Sequence, residues 1–110
     1  MNTAKSNWLF QRISALILVP LILWFIYKLI GFNNYYYDEV IKFYSSTVNC
    51  LLFIIMFVIM TYHSRVGIKT IVEDYIDSKK IRKNIISAIT ILSYTMIIII
   101  VISIAKIKFF

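Results

Sequence analysis

His63 is the single histidine of the chain and stands near the end of a long apolar stretch, where no other side chain offers acid–base or metal-ligand chemistry near neutral pH. An ionisable group in such surroundings is costly and raises a functional question. A helix that binds haem needs an imidazole nitrogen directed at iron, a small residue one turn away so that the flat macrocycle can approach the backbone, and cations for the propionates. His63 with Gly67 at i+4 meets the first two needs, and Arg12 and Arg65 can supply the third through charge-assisted hydrogen bonds. Plainer readings stand beside these. The histidine can be hydrogen-bonded to a neighbouring chain, the glycine can serve close helix packing, and the arginines can mark topology, which for Arg65 is the better reading. One histidine gives one axial bond, so a six-coordinate iron would take its second ligand from another chain at a shared interface.

Asp74 and Tyr75 follow further along. If the helix of His63 persists, eleven steps of about 100° return Asp74 to nearly the same face, roughly 16 Å along the axis, with Tyr75 beside it. A phenol at the membrane surface can donate a hydrogen bond to a quinone carbonyl, and a neighbouring carboxylate can orient donors or pass protons. On the residues alone, the better reading is that Glu73, Asp74 and Asp77 solvate a loop and Tyr75 belongs to an interfacial aromatic belt.

The elements that must position these groups are membrane spans. A hydrophobic content of 61% and a mean hydropathy of +0.83 lie far outside the soluble range. Uncharged runs between Ile13 and Tyr27, Phe43 and Ser64, and Asn84 and Ala105 predict an all-α integral membrane domain, 1–110, with three transmembrane helices over about 13–30, 44–67 and 84–105. The first run is short, but Arg12 and Lys28 at its ends can lay their stems along the helix and place their charges in the headgroups. Pro20 predicts a modest kink, the residues up to Arg12 a short lead, and 31–42 an aromatic connector that includes Tyr35. Ser87, Thr90, Ser93, Thr95 and Ser103 are candidate contact points on the Ile-rich third span.

The net charge of +7 does not point to nucleic acid, because the basic residues lie at the ends of apolar runs. Lys5 and Arg12 precede the first span, and Arg65, Lys69, Lys79, Lys80, Arg82 and Lys83 follow the second. By the positive-inside rule, the N-terminus is expected on the cytoplasmic or matrix side and the C-terminus outside. No removable signal or transit peptide is evident, which suggests a bacterial inner membrane or an organelle's inner membrane with the protein made inside. Cys50, the sole cysteine, allows no intrachain disulfide and is expected to pack.

The stretch Trp8-Leu-Phe-Gln-Arg12-Ile-Ser-Ala15, then Val19-Pro20-Leu21 and Trp24, with His63-Ser-Arg-Val-Gly67-Ile and Val72-Glu-Asp74-Tyr75-Ile76, resembles the hydrophobic membrane anchor (the small cytochrome b subunit) of succinate dehydrogenase, respiratory complex II. The resemblance covers essentially the whole chain, and the His to Asp-Tyr spacing is its specific part. It implies that His63 is an axial ligand of the haem b iron, that Tyr75 hydrogen-bonds ubiquinone with Asp74 as its acidic neighbour, and that Arg12 lies near the haem propionates. It also implies a companion cytochrome b subunit that gives the other haem histidine, and flavoprotein and iron–sulfur subunits that carry out the chemistry of succinate on the inner side. The alternative is a small membrane subunit of another quinone-linked complex, or a transporter, without haem. A proton-coupled transporter needs a carboxylate within a span, and all five acidic residues fall in the predicted loops.

Overall fold

Residues 3–34 and 36–110 are described by the computed structural model; Met1, Asn2 and Tyr35 lie outside the described residues. Four helices follow one another: α1 (Thr3–Ile30), α2 (Tyr37–Ser45), α3 (Thr47–Tyr75) and α4 (Lys79–Phe109), and the described residues form no strand. The three long helices are each long and apolar enough to cross a membrane, as the uncharged runs predict. At about 1.5 Å per residue, the 31 residues of α4 extend roughly 46 Å, close to the 50 Å long axis of the molecule.

Several boundaries differ from the sequence expectation. The lead before Arg12 is helical from Thr3, and α2 takes up the end of the first connector and runs on to Ser45, while α1 continues through Pro20 as expected. Span two begins at Thr47 and continues to Tyr75, well past Gly67. The supposed basic loop shrinks to Ile76–Ser78, with Lys79 to Lys83 forming the first turns of α4. The extensions share one cause. An uncharged run marks the apolar part of a helix, while Lys, Arg and Glu are good helix formers and prolong it into the headgroup zone. In α2, Asp38 and Glu39 occupy the first turn, where the helix dipole favours negative charge.

The joints are closed by side chains. Ser46 ends α2 and caps α3, its hydroxyl accepting from the Asn49 amide at 3.4 Å, while Asn49 Nδ2 and Cys50 Sγ donate to the Phe43 and Tyr44 carbonyls at 3.0 Å each. Carbonyls left over at the end of α2 are thereby satisfied. Cys50 is buried, as expected, and its thiol also serves this bend. Ser78 caps α4 by accepting from the Ile81 amide at 3.3 Å.

Contacts Ser14/His63, Gln11/Gly67 and Phe25/Phe53 step in opposite directions along α1 and α3, and Arg65/Thr90 with Ser45/Lys108 do the same toward α4, so neighbouring long helices are antiparallel. Among the described residues α3 is the centre: α1 and α4 each pack on it and not on each other. Met56, the most buried side chain, sits about a third of the way along α3. None of the most apolar stretch of α4 is fully buried within the chain, and Ile91, Ile98, Ile99 and Ile102 are exposed on its outer side.

Candidate functional site at the seam of α1 and α3

On α1, Gln11, Ser14, Ala15 and Leu18 recur at helical spacing and turn inward, with Ser14 and Leu18 buried and Gln11 and Ala15 half-buried. Of these, Ser14 meets His63 and Gln11 meets Gly67 on α3. A Cβ built on Gly67 would stand 3.3 Å from Gln11 Nε2, tighter than ordinary contact, so the missing side chain makes room for the Gln11 amide. The close-packing reading of Gly67 therefore has a named partner. Ser14 Oγ lies 2.8 Å from His63 Nδ1 and donates to the Gln11 carbonyl at 2.9 Å. His63 is half-buried and lines a shallow open cavity of about 230 Å³ with Trp8, Gln11, Arg12 and Ala15. Such a cavity admits the edge of a flat macrocycle and does not enclose one.

Arg12 thus shares a surface with His63, as the sequence suggested. Its guanidinium carbon lies 5.4 Å from the Trp8 ring centroid, one turn back on the same helix, an arrangement that orients the cation at the rim of the cavity. Arg65 is elsewhere. Two residues beyond His63, it is turned about 200° around α3, and its Nε donates to Thr90 Oγ1 on α4 at 3.1 Å. Of the two arginines offered for propionates, only Arg12 stands on the histidine's side. Among the hydroxyls of span three, Thr90 is the one that bonds another helix, whereas Ser87, Thr95 and Ser103 are exposed.

The helix does persist to Tyr75, so Asp74 lies on the face of His63, about 16 Å further along. Tyr75, one step further, is rotated about 120° from that face and is 82% exposed. Asp74 is exposed too, and within the described residues neither side chain is hydrogen-bonded to the rest of the chain. The structure brings His63, Arg12, Ser14, Gln11 and Gly67 together, and it leaves Asp74 and Tyr75 at the free end of α3, a turn and more beyond the seam.

Residues 2–102 match the family described as succinate dehydrogenase/fumarate reductase transmembrane subunit. The chain belongs to this family. Similar to it are the succinate dehydrogenase hydrophobic membrane anchor subunits of Rickettsia bellii, 32% identical over 100 residues (88% of this chain and 80% of the relative), and Rickettsia conorii, 33% identical over 89 residues (77% and 71%). A succinate dehydrogenase membrane anchor subunit of Reclinomonas americana is 28% identical over 84 residues, 74% of this chain and 70% of that one. No solved structure gives a significant match. With three candidate spans, this family member is a multi-pass membrane protein.

Ser14 and Gln11 are the residues whose part at the seam sequence reasoning missed. A signal was present. Both are polar side chains at the inward-facing positions of an apolar helix, and a polar group buried in such a place needs a partner. Knowing which partner requires the register of α1 on α3, which emerges only from packing.

Proposed function

We propose that this chain is the membrane anchor of succinate dehydrogenase that holds one side of a haem b shared with a companion cytochrome b chain and forms part of a ubiquinone-reduction site. As a family member it works within the membrane and in association with other subunits. The observation that carries the haem reading is the seam itself: a half-buried imidazole with one nitrogen occupied by Ser14, facing an open cavity rimmed by Arg12. The donor set fits. His63 would supply one axial nitrogen, Arg12 the cation for a propionate, and the companion chain the second axial ligand. Haem bound there would supply one-electron redox capacity within the membrane.

Tyr75 and Asp74 are proposed as quinone contacts from the family resemblance, and their exposure at the end of α3 agrees with a site that a neighbouring chain completes. The basic residues gather at the same end, with Lys69 on α3 and Lys79, Lys80, Arg82 and Lys83 opening α4. By the positive-inside rule this end faces the cytoplasm or matrix, where the iron–sulfur and flavoprotein subunits would dock.

The test uses the purified, fully assembled complex. Tyr75→Phe should impair ubiquinone reduction while succinate oxidation by artificial acceptors is retained. Normal quinone reductase activity in that variant would refute the quinone role of Tyr75. A dithionite-reduced b-type haem spectrum is expected of the complex, and its absence would remove the haem from the proposal.

A further inference from the structure

The protons of the seam can be counted. Ser14 is 5% exposed, its hydroxyl has a single proton, and the Gln11 carbonyl 2.9 Å away, three residues back on α1, can only accept it. The same oxygen is 2.8 Å from His63 Nδ1. With its proton committed, Ser14 can only accept from that nitrogen. A neutral imidazole protonated on Nδ1 carries its lone pair on Nε2, the form able to bind a metal through Nε2. Reversing the hydroxyl, so that it donates to Nδ1, would put the ring proton on Nε2 and close that nitrogen to iron. The direction of one O–H bond therefore decides whether His63 is competent as a ligand.

We propose that Ser14 is a positioning residue that holds His63 as the Nδ1–H tautomer, presents Nε2 as the ligating atom, and tunes its donor strength through the chain Gln11 C=O···H–Oγ Ser14···H–Nδ1 His63. The proposal rests on the haem reading above. Partners of this kind fix the orientation of a ligating histidine and raise its basicity. The packing agrees with the arrangement: the Gln11 side-chain amide reaches Gly67 on α3, and Ser14, three residues on, reaches His63. An alanine at position 14 would keep most of the packing and remove only the hydroxyl, with its bonds to His63 and the Gln11 carbonyl.

Two measurements test this. His63 is the only histidine of the chain. Labelling this chain alone with 15N-histidine in the assembled complex, produced without haem, therefore gives one pair of ring-nitrogen resonances. The wild type should show protonated Nδ1 and bare Nε2, and Ser14→Ala should lose that preference. A protonated Nε2 in the wild type would overturn the proposal. In the haem-loaded complex, Ser14→Ala should displace the haem midpoint potential and raise the rate of haem loss by about 10- to 100-fold, while Ser14→Thr restores both. Wild-type potential and haem loss in Ser14→Ala would also overturn it. If Ser14→Ala does not assemble, the wild-type tautomer and the Ser14→Thr variant still decide. A complex with undiminished haem in His63→Ala would sink the haem reading instead, and the tautomer measurement separates that failure from this one.

Discussion

The two seams that α3 forms are built from different materials, although they begin two residues apart. Toward α1, beside apolar neighbours such as Ile13, Ile17, Val58 and Ile59, lie His63, Ser14, Gln11 and Gly67, a polar group of short reach in which Ser14 bonds the imidazole. Toward α4, Arg65 donates to Thr90, and the rest of the groove is lined largely by apolar side chains, Phe57, Met60, Ile68, Leu92 and Met96 among them. A third material holds the opposite end, where Trp24, Phe25, Phe43, Tyr44 and Phe53 stack with ring centroids 4.9 to 6.3 Å apart. In lipid, apolar packing is cheap to find and hydrogen bonds between helices are each modest. The contrast teaches that α3 meets its two neighbours with different chemistry, and that on the α1 side the hydrogen bond between helices falls on His63.

Substitutions can separate these roles. The largest loss of stability is expected from Phe43→Ala, which empties the centre of the aromatic end. It should cost about 3 kcal/mol or more, read as a lower Tm of the complex in detergent, with the haem spectrum unchanged; an altered spectrum would break the division between the ends. Gly67→Leu comes next. Its side chain meets Gln11 and pushes α1 from α3 at a cost of about 1–3 kcal/mol, and here haem content should fall with stability. Retention of full haem would show that the seam need not be tight.

A paired change sharpens the comparison further. Arg12→Gln should shift the haem spectrum or potential, whereas Arg65→Gln should leave both alone and weaken only the α3–α4 contact, by about 0.6–2 kcal/mol. The reverse pattern would reassign the propionate cation. The smallest effect is expected from Glu73→Gln, which removes an exposed i,i+4 pair with Lys69 at 3.9 Å. About 0.3–0.5 kcal/mol, near the limit of a thermal shift, is the expected change.

The helical class and the three spans were legible because hydropathy alone imposes them. The ends of the helices were not, since Glu73 and Asp74 lie on α3, and Lys79, Lys80, Arg82 and Lys83 on α4, where composition suggests a loop. His63 was legible as the sole ionisable group in its span, and Arg12 as its neighbour through resemblance. The partner of Gly67 could not be read, because either a macrocycle or a helix accounts for a missing side chain. Nor could the turn of Arg65 toward Thr90 or the bond from Ser14 to His63, which depend on how α1 and α4 are phased around α3. Helical arithmetic placed Asp74 on the face of His63 correctly, and the same arithmetic takes Tyr75 off it.

The most direct test of the seam's purpose is the dithionite-reduced optical spectrum of the intact complex, compared between wild type and His63→Ala at matched protein content. Loss or displacement of the b-type haem bands in the variant is expected. An identical spectrum at full haem content would contradict the assignment of His63 as the ligand.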